Sequence, residues 1–230
     1  VIFLNIKEFK KQFIVLRNKG YVESLRKGPT GVGKTLESYM GLKENNLDLP
    51  DLGNIELKAH RDNSMNLITL FTFNRGAWIL NPLDAVRRYG TKDKNGRLGL
   101  YFTMSFQVNS AGLFLYCDTE TVSVRHIDGT TIAKWKFSDL EEQFIKKMPA
   151  LILVKARVEY RKDKEWFYFY SAELLKGTTS FIINERIRDG TLLIDLRLHD
   201  KGTMARNHGT GFRTYEKYLT NFFKTREVIV

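Results

Sequence analysis

Mixed α/β is the fold class this sequence predicts, on three observations. Strand-length apolar or alternating runs recur along the chain, as at Leu67 to Phe73, Leu151 to Glu159, Trp166 to Ser171 and Leu192 to Leu198. Between them lie stretches with apolar residues at helical spacing. Turn pairs such as Asp128-Gly129, and the triplet Lys94-Asn95-Gly96, divide the middle of the chain into hairpins.

Leu4 to Asn18 reads as a helix, with Phe9, Phe13 and Leu16 on one side. Gly20 to Gly33 is rich in Gly, Pro and polar residues and reads as a loop. A short helix is expected over Thr35 to Leu42, with Thr35 as its cap. Asn45 to Asn54 is turn-rich, and Ile55 to Lys58 alternates strictly, as a half-buried strand does. Pro82 to Tyr89 is a helix with proline in its first turn, followed by the loop TKDKNGRLG. Short strands fill Tyr101 to Phe137. Ser138 to Lys147 fits a helix whose Glu141 completes a capping box, and Thr179 to Arg188 a further helix. No repeat or linker interrupts residues 1–230, which read as a single compact unit with two lobes, whose boundary the sequence does not mark.

The 230 residues carry 37 Lys+Arg against 26 Asp+Glu, a net charge of +11, which points to a polyanionic partner. An apolar fraction of 43% with 13% aromatics excludes a disordered chain. One cysteine, Cys117, excludes an internal disulfide and a cysteine-rich zinc site. Apolar runs such as Met148 to Val154 are strand-length, and the N-terminal stretch has the charge spacing of an amphipathic helix, not a signal peptide. A cytoplasmic protein with no membrane association is the expectation.

GPTGVGKT, Gly28 to Thr35, satisfies the phosphate-loop pattern in full. That mechanism needs a buried strand feeding the loop, so that backbone N–H groups cradle phosphates while Lys34 and Thr35 serve phosphate and magnesium. The preceding YVESLRK is charged and broken. A partner aspartate has only a weak candidate in Asp195. The nucleotide reading is therefore disfavoured.

A second constellation comprises Asp51, Glu56 and Lys58. On a strand, Glu56 and Lys58 share a face while Ile55 and Leu57 point to the core. A turn can bring Asp51 beside Glu56, and two such carboxylates can share Mg²⁺, which polarises a phosphate and acidifies bound water. Lys58 then orients the water or stabilises charge on the phosphoryl oxygens. Glu37 is a third carboxylate, able to act through water or on Lys58. The plainer reading, ordinary turn and strand-edge charges, stands beside this one. His60 falls on the same face if the strand continues, in a supporting role or as a strand-end polar residue.

Two basic segments are candidates for DNA contact. Pro82 to Arg97 holds Arg87, Arg88, Lys92, Lys94 and Arg97 beside a glycine-flexed turn, a phosphate clamp or else a solvated helix. His199 to Arg213 combines Lys201, Arg206, His208 and Arg213 with three glycines. Arg213 is of the type that pairs with guanine N7 and O6.

GPTGVGKTLESYMGLKENNLDLPDLGNIELKAHR, LITLFTF, RRYGTKDKNG, SAELL, DGTLLIDLRL and HGTGFR, taken in order, resemble the MvaI/BcnI restriction endonucleases, relatives of the MutH nicking enzyme. The resemblance covers nearly the whole chain. It implies the PD-(D/E)xK nuclease fold, with a central mixed sheet flanked by helices and two lobes around a DNA cleft. It also implies that Asp51, Glu56 and Lys58 form a metal-dependent cleavage centre with Asp51 and Glu56 as Mg²⁺ ligands, that Glu37 joins them, and that His208 and Arg213 lie at the DNA interface. The glycine stretch has no nucleotide role in that family. Family members act as monomers that cut double-stranded DNA by sequential nicks at short, GC-rich sites, and a cognate DNA methyltransferase is expected in the same cell. Two alternatives remain at this point: a MutH-like strand-specific nickase, and a non-catalytic DNA-binding module.

Overall fold

The computed structural model describes residues 5–42, 54–62, 66–178 and 182–230. In chain order the elements are α1 (Ile6–Asn18), β1 (Val22–Glu23), α2 (Gly31–Tyr39), β2 (Glu56–Arg61), β3 (Ile68–Thr72), α3 (Pro82–Tyr89), β4 (Thr91–Lys92) and β5 (Leu98–Met104). They continue with β6 (Leu113–Cys117), β7 (Thr121–His126), β8 (Thr131–Lys136), α4 (Phe137–Lys147), β9 (Ala150–Arg161) and β10 (Lys164–Lys176). The last are α5 (Ile182–Arg188), β11 (Leu193–Asp200), β12 (Ala205–Asn207), β13 (Gly211–Thr214), a 3₁₀ segment (Glu216–Phe222) and β14 (Thr225–Val228).

The chain forms two compact units. The first takes residues 1–66, 146–179 and 219–230. Its sheet runs β1-β10-β9-β2, with β14 also on β10, and β2 is an edge strand parallel to β9. Phe9, Phe13 and Leu16 of α1 and Val32 and Leu36 of α2 pack on Leu57, Ile152, Val154 and Phe169, so both helices cover one sheet face. The Asn5 carboxamide caps α1 by accepting from the N–H groups of Lys7 and Glu8, which otherwise lack helical partners.

The second unit takes residues 67–145 and 180–218. It holds the sheet β3-β13-β11-β5-β4, with β12 on β11, and the meander β6-β7-β8. Helix α3 matches its expected bounds: Asn81 caps it by accepting from Leu83 N–H, and Pro82 occupies the first turn, where its missing N–H costs nothing. The Lys94-Asn95-Gly96 turn joins β4 to β5, with Gly96 at φ +75°.

Three local expectations change. Helix α2 starts at Gly31, inside the expected loop, and Thr35 lies within it, not at its cap. Helix α4 starts at Phe137, whose N–H donates to the Glu120 carbonyl, so the chain turns directly from β8 into the helix and Ser138 is not the cap. The hairpin strands β9 and β10 outrun the expected strands at both ends. Of the expected helix from Thr179, residues 179–181 lie outside the described residues. Among the described residues no helix is long and apolar enough to cross a membrane.

Candidate active site

Strand β2 sorts its side chains as the alternation predicts. Leu57 enters the core with Ile55 and Ala59 packed against it, while Glu56, Lys58 and His60 take the opposite face. Glu56 is 2% exposed. Its Oε1 accepts from Lys58 Nζ at 2.5 Å. Its Oε2 lies 3.1 Å from Lys147 Nζ, at ion-pair distance but without the alignment of a directed hydrogen bond. A carboxylate this buried needs compensating charge, and two ammonium groups lie beside it. Lys147 closes α4, far along the chain, and the sequence carries no spacing signal that couples it to Glu56.

His60 is buried, with Nε2 3.3 Å from the Asn66 carbonyl oxygen. Glu37 is half-buried on α2, a helix that packs on β2. Asp51 lies outside the described residues. Among the described residues no three His, Cys, Asp or Glu side chains cluster as a metal site. Glu56 nonetheless fits a hard divalent cation, which takes oxygen ligands: it is a buried carboxylate whose Oε2 accepts no hydrogen bond.

The glycine loop is occupied by its own chain. Thr35 Oγ1 donates to the Gly31 carbonyl at 2.7 Å and accepts from Leu25 N–H at 3.0 Å. Gly31 N–H and Lys34 N–H donate to the carbonyls of Gly28 and Thr30. The Arg61 guanidinium, at the end of β2, donates to the Pro29 and Gly28 carbonyls at 2.9 and 3.0 Å and pairs with Glu165 at 2.9 Å. A phosphate cradle needs free N–H groups behind a buried parallel strand; here the Gly31 and Lys34 N–H groups are bonded, two carbonyls receive a cation, and the preceding β1 is a two-residue antiparallel strand.

The basic segments all lie in the second unit. Arg88, Lys92, Lys94, Lys201 and Arg206 are exposed. Arg87 pairs with Asp200 at 2.9 Å and donates to the Gly202 carbonyl at 2.6 Å, which ties α3 to the turn after β11. Arg97 pairs with Asp93 across the β4–β5 turn at 3.1 Å. N–H donors, from Arg97 at Asp93 and Gly202 at Asp200, hold both carboxyl groups below the usual aspartate range.

Arg213 is tightly held. One terminal nitrogen donates to Asp195 Oδ2 at 2.6 Å and the other to the Leu67 carbonyl at 2.8 Å. Asp195 also accepts from Thr103 at 3.0 Å. The exposed His208 stacks on the buried His199, 5.3 Å between ring centres, and Tyr101 Oη lies 2.9 Å from His199 Nδ1. Burial first, then the surrounding arginine and lysine charge, lowers the pKa of both histidines. Asp195 and His199, the β11 neighbours of Arg213 and His208, are not among the expected residues. Their signal was present: in IDLRLH, polar residues alternate strictly with apolar ones, the mark of a strand with one polar face.

Residues 10–223 match the MvaI/BcnI restriction endonuclease family. The structure of a restriction endonuclease MvaI–cognate DNA substrate complex superposes with a TM-score of 0.83 at 27% identity, covering 100% of this chain and 99% of that one. The structure of MvaI in the absence of DNA gives 0.53 at 26% identity, covering 100% and 98%. No curated protein sequence matches significantly. With the family match running through β2, α3 and β11 to the end of the 3₁₀ segment, the chain belongs to the MvaI/BcnI restriction endonuclease family.

Proposed function

We propose that this chain is a type II restriction endonuclease that hydrolyses phosphodiester bonds of double-stranded DNA at a short specific site, with Mg²⁺ as cofactor. Family membership supports site-specific DNA cleavage, and the similar MvaI structure is a complex with cognate DNA. The observation that carries the mechanism is the buried Glu56 carboxylate held against Lys58 on an edge strand. Asp51 and Glu56 are the proposed Mg²⁺ ligands, assisted by Glu37. A bound divalent cation supplies phosphate polarisation and a more acidic water. Lys58 orients the attacking water and offsets charge developing on the phosphoryl oxygens, while His60 supports the Glu56 and Lys58 face from the next position on β2.

In this reading the first unit is the catalytic lobe and the second the recognition lobe. Arg87, Arg88, Lys92, Lys94 and Arg97 hold phosphates along with Lys201 and Arg206, and His208 and Arg213 read bases. The Asp195 and Leu67 contacts fix the Arg213 fork, which favours a rigid reader over a flexible one. The enzyme acts as a monomer making sequential nicks, in the cytoplasm of a cell with a cognate methyltransferase.

Incubation of the full chain with a sequenced plasmid and Mg²⁺, followed by mapping of the ends, tests the reading. Discrete sites, cut through a nicked intermediate and silent in EDTA, are expected. DNA binding without cleavage under every divalent metal overturns it.

A further inference from the structure

The sheet face that carries Glu56 and Lys58 continues beyond β2. Parallel pairing sets His60 beside Lys155 of β9, and antiparallel pairing sets Arg157 beside Tyr168 of β10. Paired residues project to the same side of a sheet, as do alternate residues of one strand. Ile152, Val154 and Ala156 lie in the core on the other side. Lys155 and Arg157 therefore stand on the Glu56 face, about 6.6 Å apart along the strand. Lys155 is one strand away from His60, the neighbour of Lys58 on that face.

Aromatic rings support Arg157. Tyr170 occupies the β10 bulge, and its hydroxyl donates to Asp62 at 2.8 Å. The Arg157 guanidinium lies 5.0 Å over the Tyr170 ring, which itself packs 6.2 Å from Tyr168. Stacking uses the guanidinium face and leaves its N–H edge for a planar or tetrahedral oxyanion. Farther out, Arg161 is neutralised by Glu159 at 2.7 Å. Arg157 is exposed and, among the described residues, pairs with no carboxylate.

We infer that Lys155 and Arg157 form a phosphate track that leads away from the Glu56–Lys58 centre and grips the DNA backbone beside the cut, whatever its sequence. The inference rests on the nuclease reading for its placement and adds a binding surface on the catalytic unit itself. Two cations at alternate positions on one strand suit a chain of phosphates and offer no apolar surface for a protein partner.

The test compares the full chain with Arg157→Gln and with Lys155→Gln/Arg157→Gln, using short labelled duplexes with and without the mapped cleavage sequence, in Ca²⁺. Loss of a phosphate contact lowers the slope of log affinity against log salt by about 0.9, so a fall of about 1.8 is expected for the double variant, equal on both duplexes. The cut position stays unchanged in Mg²⁺. A slope equal to the parent's overturns the track, and so does a loss confined to the cognate duplex, which would mean base readout. If the double variant melts early, the single exposed-site variant decides the matter with a fall of about 0.9. Failure of the parent protein to cleave at all is a separate result and sinks the nuclease reading instead.

Discussion

Lys147 Nζ sits 3.1 Å from Glu56 Oε2, the carboxylate oxygen that Lys58 does not touch. Glu56 is thus charge-balanced by one lysine from its own strand and one from the end of α4. Lys147→Ala leaves a buried carboxylate with one cation fewer. A loss of about 1–3 kcal/mol is expected in urea unfolding, with Lys147→Arg recovering part of it. Unchanged stability in the alanine variant would show that the contact carries no weight.

Lys58→Ala removes the ammonium proposed to act on the reacting phosphate. Cleavage should fall by about 10²–10³-fold at saturating DNA. Affinity for the duplex in Ca²⁺ should change little, because the basic segments of the second unit remain. Parallel gel-shift and single-turnover assays separate the two effects.

The Arg213–Asp195 pair, at 2.6 Å, is screened from water on the Asp195 side, which is 8% exposed. Asp195→Ala and Arg213→Ala should each cost about 1–3 kcal/mol, and the double variant less than their sum, since neither charge is then stranded. Additive losses in denaturant titrations would contradict that coupling.

Acid should weaken the second unit through its histidines. Burial, then the fields of Arg97, His208, Lys201 and Arg206, lowers the His199 pKa below the ordinary histidine value of 6.5. Below that value the unfolded chain binds more protons than the folded one, so stability rises with pH. The contribution is complete above pH 6.5 and is lost as pH falls through the folded-state pKa. Asp93 and Asp200, also lowered, act in the same sense but only below about pH 4. His199→Asn should flatten the stability profile below about pH 6.5, as measured by urea midpoints over a pH series.

Arg88, Lys92 and Lys94 are exposed around the α3–β4 corner. Replacing each by Gln should weaken binding to all duplexes and reduce the salt slope by about 0.9 per contact, with the cleavage site unaltered. A shifted or relaxed site in any of them would instead mark that residue as a base reader.

What the sequence revealed depended on range. Helix α3 was legible because the proline that marks its first turn is a local signal. The β2 face was legible because alternation is local too. Helix α2 was misjudged at its start because Gly31-Val32-Gly33 looks like a breaker. Gly31 is glycine for a different reason: a Cβ there would collide with the Arg26 carbonyl and lie 2.7 Å from the Ser24 hydroxyl. Lys147 beside Glu56, Asp195 under Arg213 and Lys155 beside His60 are products of strand register and helix placement. No spacing rule relates such partners before the sheets exist.

The parallel pairing of β2 with β9 bears on the order in which the molecule is made. Glu56 and Lys58 leave the ribosome before the strand that braces them, Ala150–Arg161, which follows more than eighty residues later, and β14 of the same sheet follows later still. Contacts so distant in sequence close slowly and late. During synthesis the acid and the lysine are therefore present without the strand that sets their geometry, so the proposed cleavage centre is expected to form only once β9 has emerged.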